Sequence, residues 1–547
     1  MTHTRIAMST CAAAATIAVL ALAAPVTGQQ GAPARQSGRV FETSDRCQAC
    51  HNGLVTPRGE DASIGIAWRA SMMANAARDP YWHAGVRREV LDHPEAAAAI
   101  QHECSACHMP MARFEAKAGG RLGEVFTHLP IGAAADRTGR LAADGVSCTM
   151  CHQIREDGLG QRESYTAGFA VDTMLPLGRR VIFGPVEVDR GKTRIMQSSS
   201  EFQPARAVHI ESSEFCATCH TLITHALGPD GKTLGELPEQ VPYLEWKHSG
   251  YRDSSCQSCH MPAVEEKVPF SSVLGEPREQ FHRHEFQGGN FFMFALLNRY
   301  RDQLAVSALP QELDSANQHT VRHLQSDAAR IAIDTVRVST GRLEANVAVA
   351  SQAGHKLPTA YPSRRVWIHF VVRDAAGNTV FESGGLAGDG SIRGNDNDAG
   401  PTRFEPHYEK IESEEQVQIY ESIMVDSAGS VTTGLLAGVR FVKDNRILPR
   451  GFDKQTADAW IAVRGAAAQD PDFSDGSDQV RYSIDLEKSS GPFSVEAELL
   501  FQPIGFRWAR NLAGSKAAEM AHFVSMYESM ASAGCTVISH AASSVAP

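Results

Sequence analysis

Apolar and polar residues alternate along much of the chain after residue 327. Alternating runs lie at 331–338, 343–349, 366–372, 416–425, 479–486 and 493–501. Because successive side chains of a strand point to opposite faces, this period of two predicts strands, and Gly377 within 374–378 predicts a tight turn between two of them. We predict an antiparallel β-sandwich over residues 327–510, followed by an amphipathic C-terminal helix over 511–535.

The N-terminus carries one continuous apolar run, residues 12–24, behind a short and weakly basic segment. With the small residues Ala21 and Ala23 at a cleavage position, this pattern predicts an export signal over residues 1–28. About 14 apolar residues fall short of the roughly 20 that span a bilayer, and an uncleaved anchor is the alternative. No other segment of the sequence reaches that length. We expect a mature protein in the periplasm or outside the cell, without a stable membrane span.

Composition places the chain among globular proteins, since 43% of its residues are apolar. Its 547 residues allow roughly three or four domains of about 150 residues each. The net charge is -11, from 52 basic and 63 acidic residues, and the sequence has no long basic run. That charge gives no electrostatic basis for binding nucleic acid.

Ten of the twelve cysteines form five copies of one motif, Cys-x-x-Cys followed directly by histidine. The copies, numbered here motifs 1 to 5, span residues 47–51, 104–108, 148–152, 216–220 and 256–260. Disulfides, zinc sites and thioredoxin-like redox pairs also use Cys-x-x-Cys, but none of them requires the histidine. Five repeats that include the histidine are typical of covalent attachment of c-type haem. Cys11 falls within the predicted signal, and Cys535 is predicted to be a free thiol.

The spacing of the motif follows from the chemistry of attachment. Two thiols one helical turn apart add to the vinyl groups of one porphyrin, and the next residue places an imidazole on the iron. We therefore expect five covalent haems c, held by Cys47, Cys50, Cys104, Cys107, Cys148, Cys151, Cys216, Cys219, Cys256 and Cys259. The proximal iron ligands are then His51, His108, His152, His220 and His260.

About 50 residues for each haem are too few to bury every haem in its own helical domain. The haems are therefore expected to pack against one another and form the core of residues 40–300. Proline and glycine, scattered through residues 109–200, favour short helices and long loops with little sheet. Residues 301–326 are predicted to link this domain to the β-sandwich.

The sixth ligand of each iron separates electron transfer from catalysis. A second histidine closes the site at low potential, methionine raises the potential, and an open position admits a substrate. His284 precedes a Gly-Gly pair that permits close backbone approach, His209 lies seven residues before Cys216, and His128 follows an apolar stretch. These three are the first distal candidates. Histidines without such a signal are His83, His93, His102, His225 and His248.

An internal repeat links motifs 2 and 5. The sequence Trp-Arg-Ala-Ser-Met-Met at 68–73 precedes motif 2, and Trp-Lys-His-Ser-Gly-Tyr at 246–251 precedes motif 5. Both motifs continue as Cys-His-Met-Pro. The two units are predicted to be copies of one haem-binding module.

These modules, with the segments 103–111, 144–148 and 238–246, resemble the multihaem cytochromes c of the cytochrome c-552/4 family over residues 40–300. The resemblance implies that a Trp-x-x-Ser-x-His element supplies a distal histidine. This chain departs from the pattern, because Met73 and Tyr251 occupy the histidine position. Met73 is then a candidate thioether ligand, and Tyr251 is a candidate marker of an open iron. Met72 and His248 are neighbouring alternatives as iron ligands. Equally favoured is the interpretation that Met73 and Tyr251 only pack and have no role at an iron.

A loop at residues 354–365 interrupts the predicted strands, and similar Gly-His-x-x-Pro-Thr loops occur beside the haem domain of other multihaem cytochromes. This resemblance makes His355 a candidate ligand that reaches across to a haem iron. Lys356, Arg364 and Arg365 are candidates for pairing with haem propionates, because guanidinium groups match carboxylates well. A turn that only stabilises the sandwich is an equally weighted alternative.

The segment 389–398 is rich in oxygen-bearing side chains and is a candidate Ca²⁺ site. It lacks the spacing of an EF-hand loop, so a solvated acidic loop is the favoured interpretation.

Taken together, the sequence predicts an α+β multidomain protein that relays electrons between redox protein partners through five haems. The β domain is expected to cover the haems and to dock a partner. A reductase or oxidase of a small nitrogen or sulfur compound at one open haem is the alternative, and a cytochrome that polymerises into filaments is a third. All five motifs end in histidine rather than the lysine found at the active haem of some nitrite reductases, which disfavours catalysis.

Overall fold

A computed structural model describes residues 39–228, 230–486 and 489–546. The predicted export signal, residues 1–28, lies outside these ranges. Helices and strands both contribute to the fold, which confirms the α+β class. Within the described ranges, no helix combines the length and the apolarity needed to cross a membrane.

Short helices joined by long loops make up residues 39–300, as the sequence predicts. The helices are α1 (Asp45–Gln48), α2 (Ile64–Ala70), α3 (Pro80–Asp92), α4 (Ala97–His108), α5 (Pro110–Ala118), α6 (Arg137–Ala143), α7 (Cys148–Cys151), α8 (Arg190–Ser200), α9 (Ser213–His220), α10 (Pro242–Lys247), α11 (Cys256–His260) and α12 (Phe291–Arg299). Each motif lies in one of these helices or in the turn that ends it.

Among the residues described in this half, sheet is limited to two-stranded pairs. The strands are β1 (Arg180–Gly184), β2 (Phe202–Arg206), β3 (Leu222–Leu227), β4 (Thr233–Gln240), β5 (Ala263–Val264), β6 (Val268–Pro269), β7 (Pro277–Arg278) and β8 (Phe281–His282). β1 pairs with β2 in parallel, while β3–β4, β5–β8 and β6–β7 are antiparallel.

Strands dominate the second half of the chain. They are β9 (Ala329–Ser339), β10 (Arg342–Ser351), β11 (Arg365–Arg373), β12 (Thr379–Ser383), β13 (Lys410–Ile411), β14 (Ile419–Tyr420), β15 (Ser422–Val425), β16 (Val431–Thr432), β17 (Arg440–Asp444), β18 (Ser477–Asp485), β19 (Phe493–Gln502) and β20 (Thr536–Val545). The helices here are α13 (Pro310–His323), α14 (Asp396–Ala399), α15 (Phe506–Arg510) and α16 (Ala518–Glu528). The predicted strands are confirmed, except that the run 416–425 is divided into β14 and β15.

Two sheets of this half pack face to face. Their strand orders are β13-β18-β10-β9 and β12-β11-β19-β20, with β14 beside β11. Phe370 of β11 stacks on Tyr482 of β18 with ring centroids 3.8 Å apart, so the buried faces of the two sheets meet. Pairing is antiparallel apart from β13, which runs parallel to β18. The sequence missed β20, which follows the predicted C-terminal helix and pairs with β19.

The two halves share one hydrophobic core. Buried residues of the apolar helix α12 belong to the same cluster as the inner faces of the sheets. The segment 301–326, predicted as a linker, contains helix α13. Helix α16 lies on α3, where Arg87 pairs with Glu519 at 2.7 Å and Tyr81 contacts Phe523 with ring centroids 5.0 Å apart. The C-terminal half therefore helps to position α3.

Candidate functional site

A connected internal cavity of about 1820 Å³ runs through the N-terminal half. It exceeds the roughly 300–1,000 Å³ of an ordinary small-molecule site, so its size suits several cofactors. All ten motif cysteines and all five motif histidines line it. These cysteines are free thiols in the structure, as thioether formation requires. The cavity therefore brings together every residue predicted to attach haem.

Four of the five motif histidines share one orientation. Their Nδ1–H groups donate to backbone carbonyls: His51 to Phe270 at 2.6 Å, His108 to Ala76 at 2.8 Å, His152 to Phe183 at 2.6 Å and His260 to Gln287 at 2.5 Å. This bond fixes the tautomer and leaves Nε2 free, which is the usual arrangement of a metal-binding imidazole.

Burial also keeps these imidazoles uncharged. It lowers the pKa of His108 to about 4, and burial with the neighbouring His355 lowers the pKa of His260 to about 4. Both rings are therefore neutral at pH 7, which is the form that binds a metal. The donor set fits a haem iron.

Thiols of different motifs meet inside the cavity. Cys107 lies near Cys219, Cys148 near Cys47, and Cys216 near Cys256, close enough for the two thiols of each pair to affect each other's ionisation. Cys151 lies close to Cys219. These pairs connect motif 1 to motif 3 and connect motif 4 to motifs 2, 3 and 5. The five motifs thus form one continuous network with motif 4 at its centre.

Two motif histidines face a second imidazole. The His152 and His284 rings lie 6.3 Å apart between centroids and are inclined by 21°. The His260 and His355 rings lie 6.1 Å apart and are inclined by 7°, while the His323 ring lies at the same distance from His260 and is inclined by 63°. Two imidazole nitrogens that are each about 2 Å from one metal ion leave their ring centroids roughly 6 Å apart. Both pairs therefore have the spacing of two axial ligands on a single iron.

The other predicted ligands divide between the cavity and the rest of the fold. Met73 lines the cavity beside Met72. His209 and His128 do not line it, and Nε2 of His209 donates to the Ile154 carbonyl at 2.8 Å. The cavity geometry therefore gives no support to these two histidines, which stay predictions from the sequence. The sequence features that suggested them were the distance from Cys216 for His209 and the preceding apolar stretch for His128. Neither feature determines the direction in which a side chain points.

Three further histidines that line the cavity carried no strong sequence signal: His225, His282 and His323. Nδ1 of His282 donates to the Met261 carbonyl at 2.7 Å, and Nδ1 of His323 lies 3.1 Å from Asp327 Oδ2. They repeat the orientation of the motif histidines. Asp327 follows His323 by one helical turn, and this i,i+4 pair was the one local feature of the sequence that could have indicated His323.

The loop at 354–365 belongs to the β domain but lines the cavity with His355 and Arg364. Nδ1 of His355 donates to the Lys356 carbonyl at 3.0 Å, which leaves Nε2 free. Glu245 of α10 holds this loop, because its carboxylate accepts from the Lys356 backbone N–H at 3.2 Å and from Thr359 Oγ1 at 2.6 Å. Tyr251 packs beside Gly354, because a Cβ added at position 354 would lie 3.4 Å from the Cβ of Tyr251.

The three basic residues of this loop have different roles. Lys356 pairs with Asp444 at 2.8 Å, and Arg365 makes two 2.8 Å hydrogen bonds to Asp398. Arg364 instead donates to neutral acceptors, the Thr359 carbonyl and Asn290 Oδ1. Burial lowers the pKa of Arg364 to about 10. Of the three, only Arg364 remains available to a propionate.

Replacing Asp444 by asparagine is expected to lower the free energy of unfolding by about 3–5 kcal/mol, because Lys356 would be left buried without a counter-charge. Burial acts to raise the pKa of Asp444, but Arg446 and Lys356 outweigh it and hold the pKa well below its usual range. The stabilisation that ionised Asp444 gives to the folded state is therefore complete above the ordinary carboxyl pKa and is lost only in strong acid. Denaturant unfolding at pH 6 and pH 8 should give the same loss.

The matched control for this variant is Glu412→Gln, which removes the partner of Lys410 in an exposed ion pair. A change of at most about 1 kcal/mol is expected there, because water screens the pair. Equal losses in the two variants would contradict a special role for the buried ion pair.

The segment 389–398 does not have the free oxygens of a Ca²⁺ site. Both carboxylate oxygens of Asp398 bind Arg365, and Asp396 pairs with Arg403 at 2.7 Å. Asp389 Oδ1 accepts from the backbone and hydroxyl of Ser391. The proposed calcium ligands are thus already used by arginines and by the turn, and the Ca²⁺ prediction is not supported.

A buried cluster in the β domain has the composition of a metal site: His407, Asp470 and Asp478. Gln418 and Asn445 both donate side-chain N–H to His407 Nδ1, at 2.9 and 3.1 Å. Nδ1 is therefore unprotonated, and Nε2–H donates to Asp470 at 3.0 Å. With both nitrogens used in this way, the imidazole has no lone pair to offer a metal, and the cluster is a hydrogen-bond network.

Comparison with solved structures finds the crystal structure of a penta-heme cytochrome c552 from Thermochromatium tepidum, with a TM-score of 0.50 and 14% identity. The likeness covers 92% of this chain and 99% of that chain. At this identity it shows a shared fold, which extends over both halves of the molecule. No protein-family model matches the chain, and no curated protein matches it.

Proposed function

We propose that this chain attaches five haems c through its five motifs and transfers electrons along them. The observation that carries this proposal is the single cavity lined by all ten motif cysteines and all five motif histidines. Four of these histidines direct Nε2 away from a hydrogen-bonded Nδ1, as iron ligands do. Haems held by these motifs would supply one-electron redox chemistry, and the closeness of the motifs to one another would give electrons a continuous route. The shared fold with a penta-heme cytochrome supports this function.

His284 and His355 are the proposed distal ligands of the irons held by His152 and His260. Their ring separations of 6.3 and 6.1 Å support this assignment. Two imidazoles on one iron give a closed, low-potential site suited to electron transfer. His355 comes from the β domain, so that domain both covers the cavity and completes one haem site.

Arg364 is the proposed partner of a haem propionate. Its guanidinium faces the cavity, where its charge acts on His220 and His355. A propionate would supply the negative charge that its present neutral acceptors do not provide. Lys356 and Arg365 have structural roles instead.

Export to the periplasm or beyond fits covalent haem attachment, and electron donor and acceptor proteins are the proposed partners. Filament formation has no observation in its favour. Catalysis at an open haem has one: four acidic or phenolic side chains line the cavity near Cys104 of motif 2, namely Tyr81, Glu89, Glu239 and Tyr361.

The test of the proposed function is the mass of the mature protein together with its haem content. The polypeptide should have lost residues 1–28 and gained the mass of five porphyrins, and a pyridine haemochrome assay should count five haems. Reduction with dithionite should change the absorbance of all five. A mature protein without added mass would overturn the proposal.

A further inference from the structure

The internal cavity opens to the surface beside motif 1. Three large apolar side chains line the cavity and are nevertheless exposed: Ile195 at 39%, Val273 at 43% and Leu274 at 65%. Every other exposed large apolar side chain in the described part of the chain does not line the cavity. Ile195 belongs to α8, and the other two belong to the loop 271–276. We call this opening, bounded by α8 and the loop 271–276, the motif 1 mouth.

Hydrogen bonds hold both sides of the motif 1 mouth against motif 1. Ser272 donates its backbone N–H and its hydroxyl to the Cys50 carbonyl, at 2.8 and 3.0 Å. On the other side, Arg46 of α1 donates to the Ser199 carbonyl of α8 at 3.4 Å. Motif 1 is also an end of the motif network, because Cys47 lies near motif 3 alone among the thiol pairs. The motif 1 mouth therefore lies where the network comes to the surface.

Helix α8 presents a basic face to solvent. It connects the parallel strands β1 and β2 and contains three basic residues and no acidic one. Four of its residues, spaced as one helix face, line the cavity: Lys192, Ile195, Met196 and Ser199. Arg190 and Arg194, which share another face one turn apart, are exposed and do not line the cavity. These two guanidinium groups are therefore directed at solvent and not at a cofactor inside.

The charges around the motif 1 mouth do not cancel. Lys192 is paired with Asp189 at 3.3 Å and with Glu276 at 2.9 Å. Among the described residues, four arginines beside the mouth form no ion pair, and only two carboxylates are in that state. The arginines are Arg190, Arg194, Arg206 and Arg278, and the carboxylates are Asp45 and Glu187. The motif 1 mouth thus keeps excess positive charge on a chain whose net charge is -11.

We propose that the motif 1 mouth docks an electron-transfer protein through an acidic face of that partner. An apolar centre with a charged rim is the usual anatomy of a protein interface, and opposite charge on the partner would steer and orient it. The docking surface is then on the N-terminal half and not on the β domain. This inference rests on the proposed function. One electron passes in each encounter, so a donor is oxidised by one electron as this chain is reduced by one, and no bond changes.

An anionic membrane surface is the other occupant that a basic patch could have. Segments that bind anionic lipid typically carry clusters of about 4–8 lysines and arginines. In the motif 1 mouth, arginines alternate with carboxylates around three apolar side chains. This mixed pattern favours a protein partner.

The first test measures binding of oxidised plant-type ferredoxin, a small acidic redox protein, to the mature five-haem protein by isothermal titration calorimetry. At about 0.1 M ionic strength, where the Debye length is roughly 10 Å, Arg190→Glu with Arg194→Glu should weaken binding at least about tenfold. The matched control is Arg337→Glu with Arg440→Glu, which makes the same charge change at exposed arginines of β9 and β17. Its affinity should stay within about twofold of wild type, because distant charges are screened.

The second test changes the apolar centre. Leu274 has a positive φ of 52°, which asparagine also tolerates, so Leu274→Asn should fold normally. It should weaken ferredoxin binding about tenfold. Leu122→Asn is the control, since Leu122 is also exposed but does not line the cavity. Raising the salt to about 1 M, where the Debye length is roughly 3 Å, should remove the effect of the arginine variant and keep that of Leu274→Asn.

Three results would overturn the inference. They are unchanged ferredoxin binding in the arginine variant, an equal loss in the β-domain control, and wild-type binding to phosphatidylserine vesicles that the arginine variant abolishes while ferredoxin binding persists. All variants should keep five haems and be reduced by methyl viologen, a small cation, at the wild-type rate. Full reduction by methyl viologen together with any of the three results would leave the electron-transfer function standing, whereas a protein without haem would contradict that function itself.

Discussion

Replacing His284 by methionine is expected to raise the reduction potential of one haem by on the order of 0.1 V, within the roughly 0.8 V that axial ligands can span. A thioether is a weaker donor to ferric iron than imidazole, so the reduced state gains stability. The His284 ring faces His152 at 6.3 Å, and this spacing assigns the effect to motif 3. A spectroscopic redox titration should show one of the five haems separated from the rest.

The matched control is His209→Met. His209 is also buried, but it does not line the cavity and donates to the Ile154 carbonyl. This variant should keep all five potentials, even if it is less stable. Identical titrations of wild type and His284→Met would remove His284 from the iron ligands and leave the attachment sites unaffected.

Loss of both thiols of motif 4, through Cys216→Ser with Cys219→Ser, is expected to prevent accumulation of folded protein. These thiols lie near those of motifs 2, 3 and 5, so the haem of motif 4 would lie against most of the others. Removing it leaves a central void, and the cost is expected to exceed about 4 kcal/mol, which is exceptional for so small a change. The measurement is the yield of soluble protein and its haem-to-polypeptide ratio.

Motif 1 provides the comparison, because Cys47 lies near only motif 3 among the thiol pairs described above. The pair Cys47→Ser with Cys50→Ser should give soluble protein with four haems. If the motif 4 variant were equally soluble with four haems, the haems would not act as a shared core.

The sequence was a reliable guide wherever a local pattern has one structural meaning. The five repeats of Cys-x-x-Cys-His, predicted to attach haem and to lie close together, all line one cavity. Alternating apolar residues gave β9, β10, β11, β18 and β19, because side-chain direction in a strand follows directly from position. Pattern was less informative for β20, whose residues 536–545 are small and half-exposed and carry little apolar alternation.

Distal ligands depend on contacts across long stretches of chain. His284 and His355 face motif histidines 132 and 95 residues away, as their numbers show, and no local pattern encodes such a meeting. His282 gave no sequence signal for the same reason, and His323 had only its i,i+4 partner Asp327. Lys356, Arg364 and Arg365 look equivalent in sequence, yet two of them are bound to Asp444 and Asp398 and only Arg364 faces the cavity.

The amino-acid sequence by itself determined the positions of the five proposed attachment motifs and most of the strands, since both depend on spacing between near neighbours. Only the tertiary structure decided which histidines face the attachment sites, how the motifs connect, and which carboxylates lie beside them. Such contacts between side chains far apart in the sequence are set by the packing of helices, strands and loops around one cavity. The two halves share one core, and a β-domain loop lines the cavity of the N-terminal half.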